Sequence, residues 1–195
     1  MPYTHREGTM STHIDYEINK ELGECYLFMG DFDKSETYYQ KAVAAAPDQA
    51  DAYMGLATVA VQKGDLDTAT AHYTKAAELK PFDKPLTGLG LIAMEKGQHE
   101  EAFAFFAQAL EINPGNMVAI NGMVQEGYFM DRLDAIIPYL KAAIALDDAE
   151  PVRYTLAGCL TALGRDEEAR QELETLLGTN PDNQSARELY ARVAA

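Results

Sequence analysis

Apolar side chains recur along this chain at intervals of three and four. Between positions 50 and 80 two such stripes follow one another: Tyr53, Leu56, Ala57, Ala60 and Val61, then Leu66, Ala69, Tyr73, Ala76 and Ala77. That spacing puts each set on one face of an amphipathic helix. Gly64 and Asp65 interrupt the pattern. Glycine tolerates the turn, and aspartate can cap the helix that follows. Pro81 closes the unit because it has no N–H to extend a helix. The predicted unit is helix, tight turn, helix, stop.

The unit repeats in one register. Gly30, Gly64, Gly97, Asp131 and Gly164 are separated by 34, 33, 34 and 33 residues. Pro47, Pro81, Pro114, Asp148 and Pro181 keep the same intervals, as do Leu22, Leu56, Leu89, Met123 and Leu156. Ala42, Ala76, Ala109, Ala143 and Leu176 make a further column. A fixed period of this length marks a solenoid of stacked supersecondary units. From each stop residue to the next Leu or Met the counts are nine, eight, nine and eight, which places the shortening in the connections between repeats. Small residues (Gly23, Ala57, Gly90 and Ala157; Ser35, Ala69, Ala102 and Ala169) stand where paired helices would approach most closely.

These intervals divide the chain into a polar leader, 1–15, repeats at 16–49, 50–82, 83–116, 117–149 and 150–183, and a last helix, 184–195. In that helix Ala186, Leu189, Tyr190 and Val193 would face inward, with Arg187, Glu188 and Arg192 toward water, as suits a cap. The fourth repeat departs from the pattern, with Asp131 at the turn, Ile136 at the small position and Asp148 at the stop. Its Pro138 either kinks the second helix, at about 3 kcal/mol in an ideal interior, or lies in the first turn, where proline is tolerated.

Leu22, Gly23, Tyr26, Gly30, Tyr39, Ala42 and Pro47, and again Leu89, Gly90, Gly97, Ala102, Phe106, Ala109 and Pro114, resemble the tetratricopeptide repeat (TPR) in its bacterial form. The resemblance covers residues 16–183. It implies an all-α, right-handed α-α superhelix of five motifs with a C-terminal capping helix. It further implies a concave groove lined by the first helix of each repeat. In that register the groove residues are Met54, Thr58, Val61, Thr87, Leu91, Met94, Asn121, Gln125, Tyr128, Phe129 and Tyr154. Its middle, from Met54 and Val61 through Leu91 and Met94 to Tyr128 and Phe129, is an apolar trough suited to a peptide or an amphipathic helix. The family's clamp for a peptide C-terminus is incomplete: Lys20 and Lys84 match it, but Glu24, Gly55 and Gly88 do not.

The expected function is a non-catalytic protein-interaction module. The alternative is a self-assembling scaffold, since bacterial proteins of this kind serve at secretion, pilus and organelle-membrane assemblies, magnetosome scaffolds among them. The remaining chemistry adds little. A net charge of -15 opposes binding to nucleic acid or to an anionic membrane surface. His5, His13, His72 and His99 have no spacing for a metal, no glycine-rich loop follows a strand, and the acidic pairs Asp147-Asp148 and Glu167-Glu168 read as surface charge. No catalytic residue, metal or cofactor is therefore expected. Cys25 and Cys159 read as reduced, helix-packed thiols in different repeats, with no bridge between them. No apolar run approaches a membrane span, and the N-terminus lacks the apolar core of a signal peptide. A cytoplasmic protein is expected, or a periplasmic or membrane-associated one if a targeting segment has been removed.

Overall fold

In the computed structural model the turn column coincides with the left-handed backbone positions. Gly30, Gly64, Gly97 and Gly164 have φ of 76°, 77°, 70° and 69°, and Asp131 has φ 55°. The backbone is described for residues 4–194 and the side chains for 12–194. Residues 1–3, Ala195 and the side chains of 4–11, His5 among them, lie outside the described residues. Each glycine turn closes a helix by two crossed bonds. Gly64 N–H donates to Val61 O at 3.0 Å and Asp65 N–H to Ala60 O at 2.9 Å. This pattern satisfies the last carbonyls and requires a left-handed residue at the turn. Asp65 then accepts from Thr68 N–H at 3.0 Å, capping the next helix.

The described elements are all helical: α1 (Thr4–Phe28), α2 (Phe32–Ala45), α3 (Ala50–Gln62), α4 (Leu66–Leu79), α5 (Asp83–Glu95), α6 (His99–Ile112), α7 (Met117–Phe129), α8 (Ile137–Leu146), α9 (Glu150–Ala162), α10 (Asp166–Thr179) and α11 (Gln184–Val193). The connections between successive pairs are 46–49, 80–82, 113–116, 147–149 and 180–183, so the 34/33 alternation lies there and both helices keep their length. α1 continues the first repeat's helix back through most of the segment read as a leader. The chain forms two compact units, Met1–Ile92 and Ala93–Ala195, divided within α5.

In the first unit α1 packs on α2, α2 on α3 and α3 on α4. Tyr39 of α2, 5% exposed, is the pivot. A Cβ on Gly55 of α3 would lie 2.3 Å from its ring, and one on Gly23 of α1 2.9 Å away. Tyr73 does the same against Gly88 at 2.6 Å. The glycines that spoil the carboxylate clamp are thus there because a ring from the preceding helix fills the space of their side chains. Ser35, fully buried at the small position, donates to Gly23 O at 2.7 Å.

In the second unit α6 packs on α7, α8 on α9, and α10 on both α9 and α11. Phe106 of α6 meets Gly122 of α7, where a Cβ would stand 2.4 Å from the ring. The fourth repeat's second helix begins with a 3-10 turn, Leu133–Ile136, and Pro138 opens α8 in its first turn. Proline is tolerated there because its missing N–H would be unpaired in any case. Ile136 fits at the small position because Gly127 faces it, with no Cβ to meet the Ile136 methyl at 2.1 Å. At the C-terminus Ala186 and Leu189 of α11 are buried against Ala157, Leu173 and Leu176, with Tyr190 and Val193 packed beside them.

Candidate interaction surfaces

The first unit holds a pocket of about 600 Å³. Met54 and Thr58 of α3 line it, with Tyr39 and Leu27, and Lys20, Lys80 and Lys84 stand around it beside Glu24 and Asp51. Lys20 is held by Glu17 at 2.6 Å, and its ammonium pKa is raised by that bond. Lys80 lies over the Phe82 ring, 5.9 Å from its centroid. Lys20 and Lys84 therefore share a cavity, but its two carboxylates and Tyr39 occupy the remainder of what a clamp would need. Thr58 donates to Met54 O at 2.9 Å and presents its methyl.

Other predicted groove residues of this unit differ in exposure. Leu91 is 43% exposed and Val61 is half-buried. Thr87 requires correction: it is 6% exposed, and its hydroxyl donates to Asp83 O at 2.9 Å. At that exposure its side chain belongs to the core.

The second unit holds a pocket of about 420 Å³ between α7, α9 and α11. It brings together the predicted Tyr128 and Tyr154, with Val124, Cys159, Leu189 and Arg192. Burial raises the pKa of the Tyr128 phenol, and a bond to Cys159 adds to the effect. Burial likewise pushes the Cys159 thiol up. Asn121 and Gln125 of α7 are exposed, outside this pocket, and Met94 is half-buried. Both cysteines are free thiols, but Cys25 is exposed, contrary to the expectation that both are packed.

Phe129 belongs to a different arrangement. It is 68% exposed, and its ring stacks on His99, with centroids 3.9 Å apart. His99 Nδ1 lies 2.8 Å from Oε2 of Glu126, which is 2% exposed. Spacing for a metal site singles out neither His99 nor Glu126. The signal was present in the register. Glu126 stands in a column with Cys25, Val59, Ile92 and Cys159, and His99 in one with Phe32, Leu66, Leu133 and Asp166. A carboxylate and an imidazole replace an apolar pair across two adjacent repeats.

Among the described residues no three His, Cys, Asp or Glu side chains gather to hold a metal. Nor is any described helix long and apolar enough to cross a membrane.

Three tetratricopeptide-repeat profiles match residues 21–84, 84–116 and 130–193. The chain belongs to the tetratricopeptide-repeat family, whose members bind protein or peptide partners. It is 32% identical over 77 residues to the BBSome complex member BBS4 of Bos taurus, a match covering 40% of this chain and 15% of that protein. Among solved structures, PilF of Pseudomonas aeruginosa superposes with a TM-score of 0.66 at 19% identity, covering 92% of this chain and 90% of that one. YrrB, described as a TPR protein with an unusual peptide-binding site, superposes at 0.61 with 19% identity over 87% of this chain and 89% of its own. At such identities these two structures establish the fold.

Proposed function

We propose that this chain is a non-catalytic interaction module that binds an extended peptide or amphipathic helix of a partner protein on its first-helix surfaces. The observation that carries this reading is the exposure of Leu91, Tyr128 and Phe129, at 43%, 52% and 68%, on helices whose opposite faces supply the core. Large apolar side chains left open on packed helices gain from desolvation by a ligand, and helices already ordered lose little entropy on binding. YrrB, described as having an unusual peptide-binding site, shares the fold. Leu91→Asp and Tyr128→Ala should abolish partner capture from extracts of the source organism while leaving the helical circular dichroism unchanged. Undiminished capture by both variants would remove the reading.

A second reading, a self-assembling scaffold, is favoured by α1. That helix extends well before the first repeat and exposes Ile14 and Ile18, at 53% and 51%, one turn apart. Deleting residues 1–15 and measuring mass by light scattering separates the two. Loss of an oligomer supports the scaffold, and a monomer before and after deletion supports the peptide binder.

A further inference from the structure

Every arginine side chain described in this structure except one is tied to a carboxylate. Arg132 pairs with Glu100, Arg153 with Asp148 and Glu172, Arg165 with Asp134 and Glu168, Arg170 with Glu167, and Arg187 with Asp182. Arg192 makes no ion pair or hydrogen bond among the described residues. In a chain of net charge -15, carboxylates are plentiful, so an unclaimed guanidinium stands out. Arg192 lines the second unit's pocket with Tyr128, Tyr154, Val124, Cys159 and Leu189.

The rest of the pocket gives that cation a context. The Tyr154 hydroxyl also lacks a partner among the described residues. The Tyr128 ring stands as an apolar wall of the pocket. Val124 and Leu189 supply further apolar surface. The site thus presents two unused donors, one of them the exposed guanidinium of Arg192, beside partly apolar walls. A guanidinium fork matches a carboxylate in shape and charge, and the pairing is stronger beside low-dielectric walls.

We propose that this pocket binds an Asp or Glu side chain of a partner peptide together with the bulky apolar side chain next to it. The proposal rests on the peptide-binding reading and names the partner's chemistry at this end of the chain. Arg192 and Tyr154 hold the carboxylate, while Tyr128, Val124 and Leu189 receive the apolar neighbour. The cap helix α11 thereby joins the binding surface. A competing role is available, because Arg192 lies in the last turn of α11, where a cation offsets the helix dipole. That role affects stability and has no bearing on ligand choice.

The test uses the whole chain and octapeptides blocked at both ends, each with a central pair. The first member is Asp, Glu, Asn, Gln or Lys, and the second is Leu, Phe or Ala. Acidic peptides with Leu or Phe should bind, and their Asn or Gln isosteres should bind about tenfold more weakly, the effect of one charge-assisted contact. Arg192→Gln should remove that tenfold preference, and Arg192→Glu should turn it toward Lys, each with no more than the small fall in melting temperature that losing a helix-end cation gives. Binding indifferent to the first member, or an acid preference that survives Arg192→Glu, overturns this proposal and leaves peptide binding standing. Capture only of peptides with a free C-terminal carboxylate overturns it as well. If no peptide of either charge binds, both this proposal and the peptide-binding reading fail.

Discussion

At the scale of single residues, two kinds of glycine do different work, and substitution separates them. Gly64 has φ 77° and open space where a Cβ would go. Gly64→Ala should cost about 1 kcal/mol in urea unfolding, all of it from the left-handed backbone. Gly55 is helical, and its missing side chain is Tyr39's space. Gly55→Ala should cost more, about 2 kcal/mol, because a buried ring must move. Asp131 pays the left-handed penalty that its counterparts avoid. Asp131→Gly should therefore raise stability by about 0.5 kcal/mol, and a midpoint that falls instead would show that the aspartate side chain compensates locally. The two thiols provide an independent check. Thiolate is the reactive form, and Cys159 is both buried and pushed away from ionisation. A disulfide reagent should titrate one thiol, Cys25, in the native chain and the second only after denaturation.

Between elements, the pair most open to measurement is His99 with Glu126, which bridges α6 and α7. His99→Leu strands a buried carboxylate and should cost about 2 kcal/mol. Adding Glu126→Leu places apolar side chains at both positions, as the preceding repeats do with Leu66 and Ile92. Most of the loss should return, and strictly additive single and double variants would show that the two side chains do not depend on each other. The elements themselves were legible because periodicity, turn residues and stop residues all agree with one register. Pro138 was legible only as two alternatives, since sequence does not say whether a 3-10 turn will precede it. Depth was harder to read. Register places Thr87 and Leu91 on one face of α5, yet the first is buried and the second exposed, a difference of depth that spacing along one helix does not carry. Arg192 was legible as a water-facing cation, and not as a pocket wall, because the pocket is made by α7, α9 and α11 together.

For the molecule as a whole, charge sets the response to its surroundings. Sixteen Lys and Arg face 31 Asp and Glu, and most ion pairs are exposed contacts of small individual worth. Self-repulsion should dominate those pairs, so the melting temperature should rise by several degrees between about 20 and 300 mM NaCl. A fall over that range would mean that the surface pairs act as a stabilising network.

The alternation in connection length has a consequence for how such a chain can grow. One long and one short connection, 113–116 and 147–149, precede the two pairs α7–α8 and α9–α10, and the rhythm then starts again at 180–183. The period that returns to its starting point is therefore two repeats. Inserting a second copy of residues 117–183 keeps every connection in sequence, whereas inserting one repeat sets two connections of equal length side by side. A lengthened chain of this kind should tolerate duplication in pairs and resist it singly, which makes parity a design rule written into the lengths of its connections.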